Sequence, residues 1–314
     1  MALGGLSLAA QGPQTPPTFA ERLGWKPGTV AVILHVDDVG MSHSSNLGAM
    51  EATERGVATS FSVMMPCSWV PEAAQYLRTH PQLDSGLHLT LTAEWQRYRW
   101  GPLAGKPQVP GLTDGDGCLW HTVEQVVAHA SPDEVERELR AQLERAEGLG
   151  IPITHLDSHM GTLFARADYF ERYAKLGIEK GIPVLAVGGQ GAHLAPEERA
   201  ALVKLQPWTK TLWNAGLPVL DDLYANFTST KNEEKTDRLV ALLRELQPGV
   251  TEIIFHASHP TDEFPLITGS SPSRKADLQA LTDPRVRQVI TDRGIVLTTW
   301  RELKARRKNA APLE

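Results

Sequence analysis

Short apolar segments alternate with amphipathic ones along most of the chain. Residues 30–40 (VAVILHVDDVG) form an apolar run that ends in two carboxylates and a glycine. A run rich in Val and Ile that stops at a turn signal is typical of a buried parallel strand. By the same criteria we predict further strands at 59–65, 86–92, 151–157, 182–187, 218–223, 252–256 and 295–299.

Helical patterns separate these strands. The best is residues 131–150, where Ser131 is a predicted N-cap, Pro132 fits the first turn and Glu134 completes a capping box. Other helices are predicted at 46–55, 71–79, 231–246 and 274–293. About eight strand–helix alternations over about 270 residues predict an α/β fold that resembles a (β/α) barrel of the TIM type, incomplete or distorted. An open doubly wound parallel sheet is the alternative, because periodicity does not show closure.

The chain has no composition break that would mark a linker, so we predict a single domain over residues 26–305. Residues 1–25 are predicted to be a flexible leader, and 306–314 a tail. A long insert at 94–118 carries Trp95 and Trp100. Long loops of this kind are often functional, and the tryptophans are expected either to line a binding site or simply to pack the loop.

Composition excludes several classes of protein. Of 314 residues, 41% are hydrophobic and 22% charged, as in an ordinary globular protein. The formal charge of -6 argues against nucleic acid as the main partner. No apolar run approaches the ~18 residues of a membrane span. We expect a cytoplasmic protein, or an exported one if residues 1–10 are a signal-peptide remnant. Two cysteines, Cys67 and Cys118, make no disulfide framework.

Polar residues stand where several predicted strands end. Asp37 and Asp38 follow the first strand, and His88 lies within the strand at 86–92. The segments THLDSHMG and EIIFHASHP add four histidines, at positions 155, 159, 256 and 259. Because carboxyl ends of parallel strands meet at one edge, these side chains can converge there. An Asp/His/His set matches a divalent metal with an open position for water.

Each of these residues also has a purely structural interpretation. Asp38 or Ser42 can cap a helix at 43–55. A single buried histidine is more often hydrogen bonded to the backbone than bound to a metal. The hypothesis of a metal site therefore depends on the four strand ends taken together.

The four motifs HVDDVGMS, GLHLTLT, THLDSH and TEIIFH, in this order, resemble those of the YdjC/ChbG-like carbohydrate deacetylases. The resemblance extends from about residue 30 to 300 and implies a barrel-like α/β fold. It also implies metal-dependent removal of an acetyl group from an N-acetylated mono- or oligosaccharide. Transferred by position, it implies that Asp37 is the general base, that Asp38, His88 and His159 bind the metal, and that His256 is the general acid.

The chain departs from the family pattern at two places. Gly161 and Leu163 stand where later histidines of the third motif often occur, and we expect them to shape the substrate pocket. Ala257 and Ser258 follow the last histidine in place of Pro-Gly, so that His259 competes with His256 for the acid role. His155 is a reserve metal ligand.

We therefore expect one divalent metal ion, zinc by ligand type, with magnesium, manganese or cobalt also admitted. The expected partner is a small carbohydrate with an N-acetyl group; association of identical subunits is left open. The alternatives are a metal-dependent hydrolase of another amide, ester or phosphoester, and a non-catalytic sugar-binding relative.

Overall fold

The computed structural model describes residues 16–189, 191–194, 196–225, 227 and 230–313. Residues 1–15 of the predicted leader lie outside these ranges. The remainder of that leader contains helix α1 (Phe19–Arg22), which Thr18 caps. Asp221 accepts hydrogen bonds from the backbone N–H groups of Phe19 and Ala20, at 2.8 and 3.1 Å.

Within the described residues, seven strands form one parallel sheet. They are β1 (Val30–Val39), β2 (Ser60–Val63), β3 (Ser85–Leu89), β4 (Ile153–Ser158), β5 (Asp222–Tyr224), β6 (Gly249–Phe255) and β7 (Val296–Leu297). The order across the sheet is β4-β3-β2-β1-β6-β5, and β7 also pairs with β1. Single bridges join Leu156 to Val184 and Val187 to Leu220. The sheet is therefore a curled half-barrel whose two edges are linked by irregular backbone at these bridges.

Helices surround this sheet. They are α2 (His43–Glu54), α3 (Val70–Thr79), α4 (Val123–His129), α5 (Pro132–Gly148), α6 (Ala167–Lys180), α7 (Pro196–Asn214), α8 (Lys235–Glu245), α9 (Phe264–Ile267), α10 (Ser271–Thr282), α11 (Pro284–Arg293) and α12 (Trp300–Arg307). Strand β1 is buried along its whole length, as a central strand covered on both faces must be. Helix α12 packs into the fold, with Arg307 only 5% exposed. The chain beyond it contacts the end of α7, where Trp213 and Asn214 donate hydrogen bonds to the carbonyls of Ala311 and Leu313.

Local signals account for most element boundaries. Helix α5 has the predicted capping box of Ser131 and Glu134, and Ser42 caps α2 by accepting a hydrogen bond from the Ser45 N–H. The prediction of one continuous helix over 274–293 is wrong. Asp283 ends α10 in an extended conformation and caps α11, whose first residue is Pro284. A proline is favoured in the first turn of a helix and disfavoured in its interior, so Pro284 suits the start of a new helix.

Candidate metal centre and active site

Asp37 and Asp38 share one site because β1 is irregular where they lie. The pairing of β1 with β2 shifts register between Val36 and Val39. Asp38 has φ +66°, a left-handed conformation that few non-glycine residues adopt. In a regular strand, neighbouring side chains point to opposite faces. The irregularity lets both carboxylates reach the same group of histidines.

Asp38, His88 and His159 form a compact cluster of donor atoms. The Nε2 atom of His88 lies 3.4 Å from Asp38 Oδ1, and the Nδ1 atom of His159 lies 3.3 Å from it. The two ring nitrogens are 3.2 Å apart. All three residues are at most 4% exposed.

This cluster fits a metal ion. Donor atoms about 2.0–2.1 Å from a tetrahedral ion must lie about 3.3 Å from one another, close to the three separations here. Asp38 Oδ1 is also buried and accepts no hydrogen bond from any described residue. A buried carboxylate oxygen without a hydrogen bond is costly unless a cation satisfies it. Two imidazoles and one carboxylate are the donors typical of zinc and of neighbouring divalent metals.

Each of the three proposed ligands has a further polar partner outside the cluster. A carboxylate contacts each histidine, and a guanidinium contacts Asp38. Asp157 Oδ1 lies 2.7 Å from His88 Nδ1, and Glu94 Oε2 lies 3.1 Å from His159 Nε2. Arg274 donates a hydrogen bond of 2.6 Å to Asp38 Oδ2. Such partners fix the ring orientation and leave the remaining atom of each ligand free for the metal.

The charges of these groups follow from the same contacts. Burial alone would raise the pKa of Asp38, but the Arg274 guanidinium holds it well below its usual range. Burial alone would lower the pKa of His159, whereas the carboxylates of Glu94 and Asp38 raise it to about 10. Without a cation, the His159 ring therefore carries a proton between these two carboxylates, and a metal ion that binds here takes the place of that proton.

The remaining predicted catalytic residues flank the metal cluster. Asp37 Oδ2 lies 3.7 Å from His88 Nε2 and 3.8 Å from His256 Nε2. His256 directly follows β6, and its backbone N–H donates to Asp277 Oδ2 at 3.0 Å. Its side chain is 20% exposed, so it is the member of the group that is open to a ligand. The five residues selected from the sequence therefore lie together.

His259 and His155, the alternatives considered for the acid and for a metal ligand, lie outside this cluster. His259 points to Glu51, with 3.7 Å between Nε2 and Oε2. His155 is fully buried beneath the site and stacks on Trp300, with ring centroids 5.4 Å apart. Burial lowers its pKa to about 4. Its Nε2 atom is 3.8 Å from Asp157 Oδ2 and does not belong to the cluster around Asp38.

The insert packs firmly and brings two tryptophans to the site: Trp100 packs edge-on against the His159 ring, with centroids 6.5 Å apart, and Trp95 lies beside Arg274. Trp100 is 6% exposed and donates its ring N–H to the carbonyl of Thr92. Trp95 is half-buried, and the Arg274 guanidinium lies 5.7 Å from its ring centroid. Leu163, expected to shape the pocket, is fully buried in the core, whereas its neighbour Met160 is 49% exposed.

Sequence reasoning missed four residues of the site: Glu94, His35, Arg274 and Asp157, which stands two positions before His159 in the THLDSH motif. Glu94 stands at the start of the insert, two residues after the strand predicted at 86–92. A carboxylate so close to the end of a strand could have been selected as a site residue. His35 precedes Asp37 by two positions and so shares its face of β1. Arg274 is 236 residues from Asp38, and its sequence gives no signal of the contact.

Comparison with known proteins identifies the family. A profile of the YdjC-like protein family matches residues 31–292. The chain belongs to the YdjC-like family. Carbohydrate deacetylases from Thermus thermophilus and Brevibacillus brevis are 32% and 31% identical to it, covering 90% and 87% of this chain and 97% and 99% of theirs. The resemblance inferred from the four motifs is confirmed.

The fold of this YdjC-like protein has a solved counterpart. A crystal structure from Enterococcus faecalis V583, provisionally described as a cellobiose-phosphate cleavage protein, aligns with a TM-score of 0.75 and 24% identity. The alignment covers 88% of this chain and 99% of that one. The predicted barrel-like α/β fold is confirmed, in the form of the curled half-barrel. No helix in the described part of the chain is long and apolar enough to cross a membrane.

Proposed function

We propose that this protein is a metal-dependent carbohydrate deacetylase that hydrolyses the N-acetyl amide of a small sugar. The observation that carries the proposal is the arrangement of Asp38, His88 and His159 as a metal-binding triad flanked by Asp37 and His256. The names of the relatives support the same activity, since several are carbohydrate deacetylases that align over most of their length.

Two residues transfer protons in the proposed reaction: Asp37 acts as the base and His256 as the acid. Asp38, His88 and His159 would hold a divalent ion, and the ion would supply Lewis acidity that lowers the pKa of water and polarises the acetyl carbonyl. Asp37 Oδ2 accepts a proton from the water whose oxygen adds to the carbonyl carbon. His256 Nε2 donates a proton to the amide nitrogen as the C–N bond breaks, leaving acetate and an amine.

The separation of base and acid suits this sequence of transfers. Asp37 Oδ2 and His256 Nε2 are 3.8 Å apart, so the proposed base and acid border the same space without being hydrogen bonded to each other. Burial lowers the pKa of His256, which makes it a stronger acid once it is protonated.

A half-buried tryptophan ring beside the site supports a sugar as the proposed substrate. Trp95 presents a half-buried ring next to Arg274, which itself contacts Asp38. A flat, amphipathic ring at the edge of a polar site suits the apolar face of a sugar. Trp100 supports the insert from inside.

The test combines metal content with acetate release from N-acetylchitobiose. We expect about one divalent ion per chain, zinc by donor type, and acetate release in the wild type. Asp37→Asn is nearly isosteric and should keep the metal while losing hydrolysis; His159→Ala should lose both. p-Nitrophenyl phosphate serves as the comparison substrate. Phosphate release without acetate release, or full activity in Asp37→Asn, would contradict the proposal.

A further inference from the structure

His35 lies at the centre of the buried polar groups beneath the site. It is fully buried and precedes Asp37 by two positions in β1, so the two side chains share one face of the strand. Its Nδ1 and Nε2 atoms are each 3.0 Å from a hydroxyl, of Ser60 and Ser62 respectively. The imidazole is therefore held at both nitrogens.

One nitrogen of His35 contacts two functional carboxylates. Its Nε2 atom lies 3.1 Å from Asp37 Oδ1 and 3.1 Å from Asp157 Oδ2. The other oxygen of Asp157 lies 2.7 Å from Nδ1 of His88, one of the proposed metal ligands. A single ring thus touches the proposed base and the carboxylate that orients a ligand.

This contact determines which oxygen of Asp37 faces the substrate. His35 lies at Oδ1, to which the Ser62 hydroxyl also donates at 3.5 Å. Oδ2 is left on the side of His88 and His256. A carboxylate held at one oxygen presents the other in a fixed direction, as a general base requires.

The ring also separates two like charges. Oxygen atoms of Asp37 and Asp157 lie within 4.8 Å of each other, and two buried carboxylates so close repel unless a cation lies between them. Burial alone would lower the pKa of His35, but the carboxyl groups of Glu252, Asp157 and Asp37 raise it well above its usual value.

We propose that His35 is a positioning residue: it holds Asp37 with Oδ2 toward the substrate and, through Asp157, fixes the ring of His88. The part that concerns Asp37 rests on the proposed deacetylase function, whereas the part that concerns His88 rests only on metal binding. The two parts have separate measurements.

His155 provides a matched control. It is also a fully buried histidine that faces Asp157, but at 3.8 Å, and its ring packs on Trp300. A variant here perturbs the same region of the core without removing the His35 ring that contacts Asp37 and Asp157.

The experiment compares His35→Leu, His35→Gln and His155→Gln. The amide nitrogen of glutamine is as many bonds from Cβ as Nε2 of histidine, so it can replace that donor, whereas leucine cannot. For each variant we would measure kcat and KM for N-acetylchitobiose, zinc affinity of the metal-free protein by competition titration, and Tm. If the leucine variant does not fold, His35→Asn, whose amide reaches only toward Ser60, takes its place.

We expect His35→Leu to lower kcat about 100-fold with KM within about 3-fold, and to weaken zinc binding about 10-fold. His35→Gln should recover most of both losses, and His155→Gln should change Tm with little effect on either. Wild-type kcat and zinc affinity in His35→Leu would overturn the proposal, as would equal losses in the leucine and glutamine variants. If the wild type binds zinc but releases no acetate, the proposed function fails, while the zinc titration still decides the role of His35 toward His88.

Discussion

The pair of Lys235 and Asp277 is fully buried, and removing the lysine charge should destabilise the protein strongly. The Nζ atom of Lys235 lies 2.5 Å from Asp277 Oδ1 and also donates to the carbonyl and hydroxyl of Ser273. Both charged side chains are 0% exposed. In Lys235→Met, the carboxylate of Asp277 would remain in the core without its cation.

The expected loss follows from that burial. Breaking a buried ion pair by removing one partner costs about 3–5 kcal/mol, because a buried charge is left uncompensated. At roughly 2 °C per kcal/mol for a chain of this size, Tm should fall by about 6–10 °C. Thermal unfolding followed by circular dichroism measures the change directly.

Two further variants test whether the unpaired charge of Asp277 causes the fall in Tm. Lys231→Met removes an exposed lysine paired with Glu234, both more than half exposed, and should leave Tm within about 1 °C. In Lys235→Met with Asp277→Asn, the charge is gone but an amide oxygen can still accept from the His256 N–H. This double variant should recover at least half of the loss. A Tm for Lys235→Met as close to wild type as that of Lys231→Met would refute the reasoning.

Two further predictions concern the contact of Glu94 with His159 and the close packing at Gly48. Glu94→Gln removes the carboxylate behind His159, so the zinc affinity of the metal-free protein should fall about 10-fold in a competition titration; an unchanged affinity would exclude that role. Gly48→Ala places a Cβ 2.4 Å from the Ala257 carbonyl oxygen, just after the proposed acid. It should cost about 1–3 kcal/mol of unfolding free energy and lower kcat, whereas Gly148→Ala, with no atom within 4 Å of the new Cβ, should do neither.

The proposed ligands and catalytic residues were predictable because each follows a local pattern. Asp37 and Asp38 end an apolar run, His88 alternates with leucines, and His256 ends another run. In a parallel sheet the carboxyl ends of strands share an edge, so these local patterns are enough to place the residues near one another. The order of the motifs then suggested the roles.

The supporting residues were much less predictable. Whether Arg274 reaches Asp38 depends on how α10 packs, and no periodicity in the chain records that contact. The same holds for the pairing of His35 with Asp157, which requires β1 and β4 to face one another across the curled sheet. The hydrophobic pattern also could not predict whether the sheet closes. The edges at β4 and β5 are joined through isolated bridges near residues 184 and 187.

The left-handed backbone at Asp38 has an evolutionary consequence. An aspartate at φ +66° is less favourable there than a glycine. Its buried carboxylate is paired with the Arg274 guanidinium at 2.6 Å, so Asp38→Gly or Asp38→Asn alone would relieve the backbone but leave that buried guanidinium without its partner. A lineage released from selection at this position would therefore be expected to change Asp38 and Arg274 together. The loss of both residues, in a chain that otherwise keeps the fold, would mark a descendant without the proposed metal site.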